Sequence, residues 1–138
     1  MKKLGIIALV VSGLALNANA ADCESNLTVD GNFFKGKVYK TNAIVDGDTA
    51  TAFKNVYGFL VKDGWKISSS DKEIGNISAG QEVSYGAGKS APLNVLVEAA
   101  PDSKVTVSVS FSTSGGTAAS KETVTKQFCA IIAEAGKK

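Results

Sequence analysis

Over residues 105–112 the chain alternates without a break, with Val105, Val107, Val109 and Phe111 on one side and Thr106, Ser108, Ser110 and Ser112 on the other. Successive side chains of a β-strand point to opposite faces, so this segment calls for a sheet with one face against a core and one in water. Antiparallel sheets commonly have one face buried and one in water. Whatever else the chain forms must therefore cover a single valine-lined face.

Two amphipathic helices supply that cover. Thr49, Ala52, Phe53, Val56, Tyr57, Leu60 and Val61 recur at the 3, 4, 7, 8 spacing of one helix face, which predicts a helix over 49–63. Asp48 is placed to cap its free amides, and Gly64 to end it in the left-handed conformation. Val124, Phe128, Ile131, Ile132 and Ala135 mark a second helix over 119–135, stopped by Gly136. At 100° per residue Cys129 falls roughly 100° from the middle of that stripe, at the edge of the core. Between the helices the period is 2. Trp65 and Ile67 share a face, a polar turn spans 68–73, and 74–79 returns as the second arm of a hairpin. A glycine-bearing connection over 80–90 leads to a strand over 93–98, bracketed by Pro92 and Pro101. A looser alternation over 33–41 predicts a first strand, and 21–32 reads as a polar lead-in. The expectation is a single α+β domain of order β-α-β-β-β-β-α. Its antiparallel sheet has about 4–5 strands, with two helices packed on one face.

The N-terminus carries an address. Lys2 and Lys3, the apolar run after them, and Ala18-Asn19-Ala20 have the three parts of a secretory signal, so residues 1–20 are expected to be cleaved and 21–138 to form the domain. The apolar run is short for a bilayer span and no longer one follows. Cys23 is preceded by Ala21 and Asp22, and the acid argues against a lipid anchor. The short lysine-led signal points to the periplasm of a Gram-negative bacterium, or to secretion. In that oxidising setting Cys23 and Cys129, the chain's two cysteines, are expected to form a disulfide tying the lead-in to the C-terminal helix.

Composition then removes most chemistries. The chain has no His, and every one of its 15 basic residues is Lys. That excludes a histidine-based catalytic triad, histidine-ligated metal sites and arginine recognition of phosphate or guanine. Removing Lys2 and Lys3 from the 15 leaves 13 Lys against 13 acids, so the processed domain is neutral. Lys35, Lys37 and Lys40 form a small basic cluster, a poor nucleic-acid footprint in a neutral domain without Arg. Gly86-Ala87-Gly88-Lys89-Ser90 has the tail of a phosphate loop, but Val83 stands where the first glycine belongs. The carboxylates are scattered along the chain, and Trp65 at the start of a strand reads as core. No catalytic residue, cofactor or metal site is expected. The hydroxyl row of Thr106, Ser108 and Ser110, with Tyr85 and Lys89 of the 80–90 connection, is the candidate contact surface.

The run Leu60-x-x-x-Gly64-Trp65-x-Ile67-x-x-x-Asp71-x-x-x-Gly75-x-Ile77 resembles a pattern in small Gram-negative envelope proteins and in the repeated domains of the outer-membrane assembly lipoprotein BamC. There a helix ends at a glycine and an aromatic, and a hairpin follows through an Asp-containing turn. The resemblance implies an α+β module with helices on an antiparallel sheet. The resulting expectation is a non-catalytic exported binding or accessory module acting through a protein or cell-envelope partner. An enzyme inhibitor or immunity protein using the 80–90 connection is the alternative, with an enzyme below both.

Overall fold

The computed structural model describes residues 18–82, 90–117 and 119–138. The expected signal peptide, apart from its last three residues, falls outside them. A short helix α1 (Ala18–Ser25) leads into a hairpin of β1 (Thr28–Asn32) and β2 (Gly36–Asp46). Helix α2 (Thr49–Lys62) follows, then β3 (Lys66–Asp71), β4 (Asn76–Glu82), β5 (Ser90–Ala100), β6 (Lys104–Ser112) and helix α3 (Lys121–Ala135). The six strands form one antiparallel sheet in the order β1-β2-β6-β5-β4-β3.

The α+β class, the disulfide and the one-sided cover stand as expected. Cys23 and Cys129 are bonded across a sequence separation of 106. Val105, Val107 and Val109 are buried, together with Tyr39, Ala43 and Val45 of β2 and Leu93, Val95 and Val97 of β5. Ala52, Phe53, Val56 and Leu60 of α2 and Val124, Phe128, Ile131 and Ile132 of α3 close the core from one side. Asp48 caps α2, its carboxylate accepting from the Thr51 amide at 2.8 Å. Ser120 does the same for α3, accepting from the Thr123 amide.

The strand inventory is larger than expected, six strands against four or five, and the order is α-β-β-α-β-β-β-β-α. The polar lead-in is a helix followed by an edge strand. All five residues of β1 are exposed, so burial imposes no alternation there. Residues 33–35 form a turn instead of opening a strand, and β2 runs on to Asp46. Pro92 does not precede β5 but lies inside it, opposite Gly80. The β5–β6 ladder begins only at Leu93, so at Pro92 the strand has a neighbour on one side, where a missing N–H is tolerated. Ile74 belongs to the β3–β4 turn and is 66% exposed.

A candidate binding cleft under the C-terminal helix

Helix α2 ends in a way that fixes Trp65. The Gly64 amide donates to Val61 O at 3.2 Å and the Trp65 amide to Leu60 O at 3.0 Å, a paired bonding pattern that needs the left-handed φ of 93° at Gly64. This turns the indole back over the sheet. There it meets Phe111 edge-on, with ring centroids 6.0 Å apart and planes at 84°. Phe111 in turn lies against Tyr39, whose hydroxyl donates to Ala119 O at 3.1 Å and holds the entry to α3. On the other side Gln127 of α3 donates to Asp63 at the end of α2 at 2.8 Å.

These contacts wall a cleft of about 340 Å³ between the ends of β4, β5 and β6 and the first turns of α3. Trp65, Leu93, Phe111 and Phe128 form its apolar wall, and Gln81, Thr113, Thr117, Thr123 and Gln127 supply amides and hydroxyls. No lining residue carries a charge. Trp65 is 7% exposed, and its Nε1 is the one buried side-chain donor or acceptor among the described residues without a hydrogen-bond partner. A buried N–H left unpaired costs about 1–3 kcal/mol. Trp65 is therefore core, as its sequence context implies, and also the wall of a cleft, which the sequence does not reveal.

The contact surface expected from sequence is placed differently. Thr106, Ser108 and Ser110 lie on the sheet face away from the helices, half-buried within polar cross-strand rows. One row joins Thr28, Lys40, Ser110, Asn94, Ser78 and Ser69 across all six strands. Its members satisfy one another in part, with the Ser78 hydroxyl donating to Asn94 Oδ1 at 2.7 Å. Tyr85 and Lys89 lie outside the described residues, as does most of the 80–90 connection. The structure thus places three of the five predicted contact residues on one face, which is separate from the cleft. The cleft itself draws on Trp65, Gln81, Ala91 and Leu93 and on scattered residues from Phe111 to Phe128, which no local motif links.

Fold and cleft together define the class: an antiparallel sheet covered on one side by helices, open at one end to an uncharged pocket. No protein-family model and no curated protein matches the sequence. Among solved structures the chain is similar to the conserved protein of unknown function EF2215 from Enterococcus faecalis. The TM-score is 0.52 at 7% identity, covering 90% of this chain and 80% of that one. It is also similar to CalU16 from Micromonospora echinospora, with a TM-score of 0.50 at 5% identity over 81% of this chain and 85% of that one. At such identities the likeness is one of fold. Among the described residues no helix is long and apolar enough to cross a membrane.

Proposed function

We propose that this chain is an exported, periplasmic binding module without catalysis, which holds an uncharged group of a protein or envelope partner in the cleft under α3. The observation that carries this reading is the buried, unpaired Nε1–H of Trp65 in the cleft wall. A ligand group with an apolar body would lie against Phe111, and a small turn of the Trp65 ring would open its covered indole N–H to a carbonyl or ether oxygen of that group. The uncharged lining supports binding over acid–base chemistry, since it offers no proton donor or acceptor tuned to move a proton. Export rests on the signal-like residues 1–20, and the Cys23–Cys129 disulfide is compatible with it.

Trp65 is the chain's sole tryptophan, so its emission reports on the cleft directly. Titration with a methyl ketone should shift that emission saturably, and calorimetry should show the alkane of equal length binding about tenfold more weakly, as expected for one buried hydrogen bond. Trp65→Phe should erase the difference between ketone and alkane. If neither compound shifts the emission, or if the ketone keeps its advantage in the variant, the reading fails.

A further inference from the structure

We infer that the β1–β2 turn is a docking point for an anionic lipid surface. Residues 33–35 join the edge strand β1 to its neighbour β2 and set Phe33 and Phe34 side by side, ring centroids 5.6 Å apart and nearly perpendicular. Phe34 is 86% exposed, the most exposed large apolar side chain among the described residues, and Phe33 is 46% exposed. Two exposed rings in contact form a contiguous apolar spot, and such a spot rimmed by polar side chains is the kind of surface that marks an interaction site.

The turn is held firmly while its side chains face water. Asn32 Oδ1 accepts from the Lys35 amide at 2.9 Å, and the Gly116 amide donates to Phe33 O at 2.8 Å. Lys37 and Thr113 exchange two bonds: the Lys37 amide donates to Thr113 Oγ1 at 3.0 Å, and the Thr113 amide donates to Lys37 O at 2.9 Å. The 113–116 segment presses so closely on the turn that a β-carbon at Gly36 would collide with Thr113 O, and one at Gly115 with Phe34 O. Two phenylalanines are thus presented on a braced backbone, with little ordering left to be done when they are covered.

The charges beside them favour a bilayer. Lys35 follows the rings directly and Lys37 lies two residues on, while Lys40 is further along β2. Asp30 is the one acid across residues 28–40, in a domain that is neutral after processing. Phenylalanine rings seat at the boundary of headgroups and acyl chains, and lysine ammonium groups reach lipid phosphates on flexible stems. Two rings and two or three lysines give reversible attachment, far short of insertion. The turn is braced by the 113–116 segment, and Thr113 and Thr117 line the cleft, so docking would turn the cleft's end of the molecule towards the envelope surface.

Flotation of the processed, disulfide-bonded chain with phosphatidylglycerol vesicles tests this, with phosphatidylcholine vesicles as control. The chain should float with the first and not the second, and less as salt is raised. Phe34→Ser should lower partitioning about tenfold or more, and Lys35→Gln with Lys37→Gln by a similar factor. Thermal melts of both variants should match the parent, because Phe34 and Lys35 are exposed and half-buried Lys37 holds Thr113 through its backbone, which the substitution keeps. Absence of flotation overturns the inference, as does a Phe34→Ser variant that floats like the parent. So does a concentration-dependent dimer that shields Phe34, which would make a second copy the occupant. None of these outcomes depends on whether the cleft binds a ketone.

Discussion

Thr41 shows how narrowly polar groups are admitted to this core. It sits on the apolar side of β2 at 3% exposure, and its hydroxyl donates to Cys23 O at 2.6 Å, joining the sheet to α1. Thr113, the other buried threonine, accepts from the Lys37 amide. Each has a partner, whereas Trp65 Nε1 does not. Thr41→Val keeps the shape but leaves the Cys23 carbonyl without its donor, and orphaning a buried group costs more than the bond itself contributes. The expected loss is about 1–2 kcal/mol in urea unfolding. Thr41→Ser, which keeps the hydroxyl, should lie closer to the parent. Equal stability of parent and Thr41→Val would show that water serves the carbonyl and that α1 is docked by other contacts.

At the scale of elements, α2 couples its start to pH. Asp48 is fully exposed, yet its carboxyl is held below the ordinary 3.8, first by the bond from the Thr51 amide and next by the Thr51 hydroxyl. A carboxylate with a lower folded than unfolded pKa stabilises the folded state above the unfolded value, and that contribution fades as pH falls through the folded one. Hydrogen exchange of the first-turn amides of α2 should therefore accelerate as pH drops below about 3.8, relative to the intrinsic rate. Asp48→Asn keeps an acceptor without the charge and should flatten that dependence. Asp46, paired with Lys104 at 2.9 Å, is lowered in the same direction, so Lys104→Gln serves as the control that should leave the α2 amides unchanged. Helices α2 and α3 and the Asp48 cap of α2 were legible in the sequence because a helix buried on one face must repeat its apolar residues at that face's spacing, whereas α1 and the Ser120 cap of α3, which falls inside the expected 119–135, were not. The 105–112 strand was legible for the same reason with period 2. β1 left no such trace, being exposed along its whole length. Pro92 concealed the start of β5 because a proline is read as a boundary, while here it occupies a stretch paired on one side only. The cleft was illegible for a different reason. Its wall is assembled by the β4–β5–β6 register and the end of α2, and Trp65 bears the same sequence signature whether or not its indole N–H finds a partner.

The topology of the whole molecule explains where the disulfide sits. Placing β2 beside β6 in the middle of the sheet brings the segment before β2 next to the helix after β6, so α1 and α3 meet although they lie at opposite ends of the chain. Cys23, at 1% exposure, bonds there to Cys129, and the loop of separation 106 encloses every strand and α2. A cross-link acts on the unfolded chain by removing loop-closure entropy, worth about 4.7 kcal/mol for a loop near 100 residues, with 2–4 more usual. Cys23→Ala with Cys129→Ala should therefore lower stability by about 2–4 kcal/mol, a fall in melting temperature of roughly 10–15 °C for a domain of this size. Most of the apolar core is built from the strands, α2 and α3, with Val56, Leu60, Val107 and Ile131 buried among them. α1 depends on it more directly, being held besides by its packing on β2 and α3 and by the bond from Thr41 to Cys23 O. The double variant should thus exchange the amides of residues 23–25 quickly while β5 and β6 stay protected in proportion to the remaining global stability. A variant that melts with the parent would mean that the reduced chain is already compact enough in the unfolded state for the cross-link to remove little entropy. A variant that loses β5 and β6 protection together with α1 would make the N-terminal segment part of the cooperative core, and Thr41→Val should then cost the whole domain and not α1 alone.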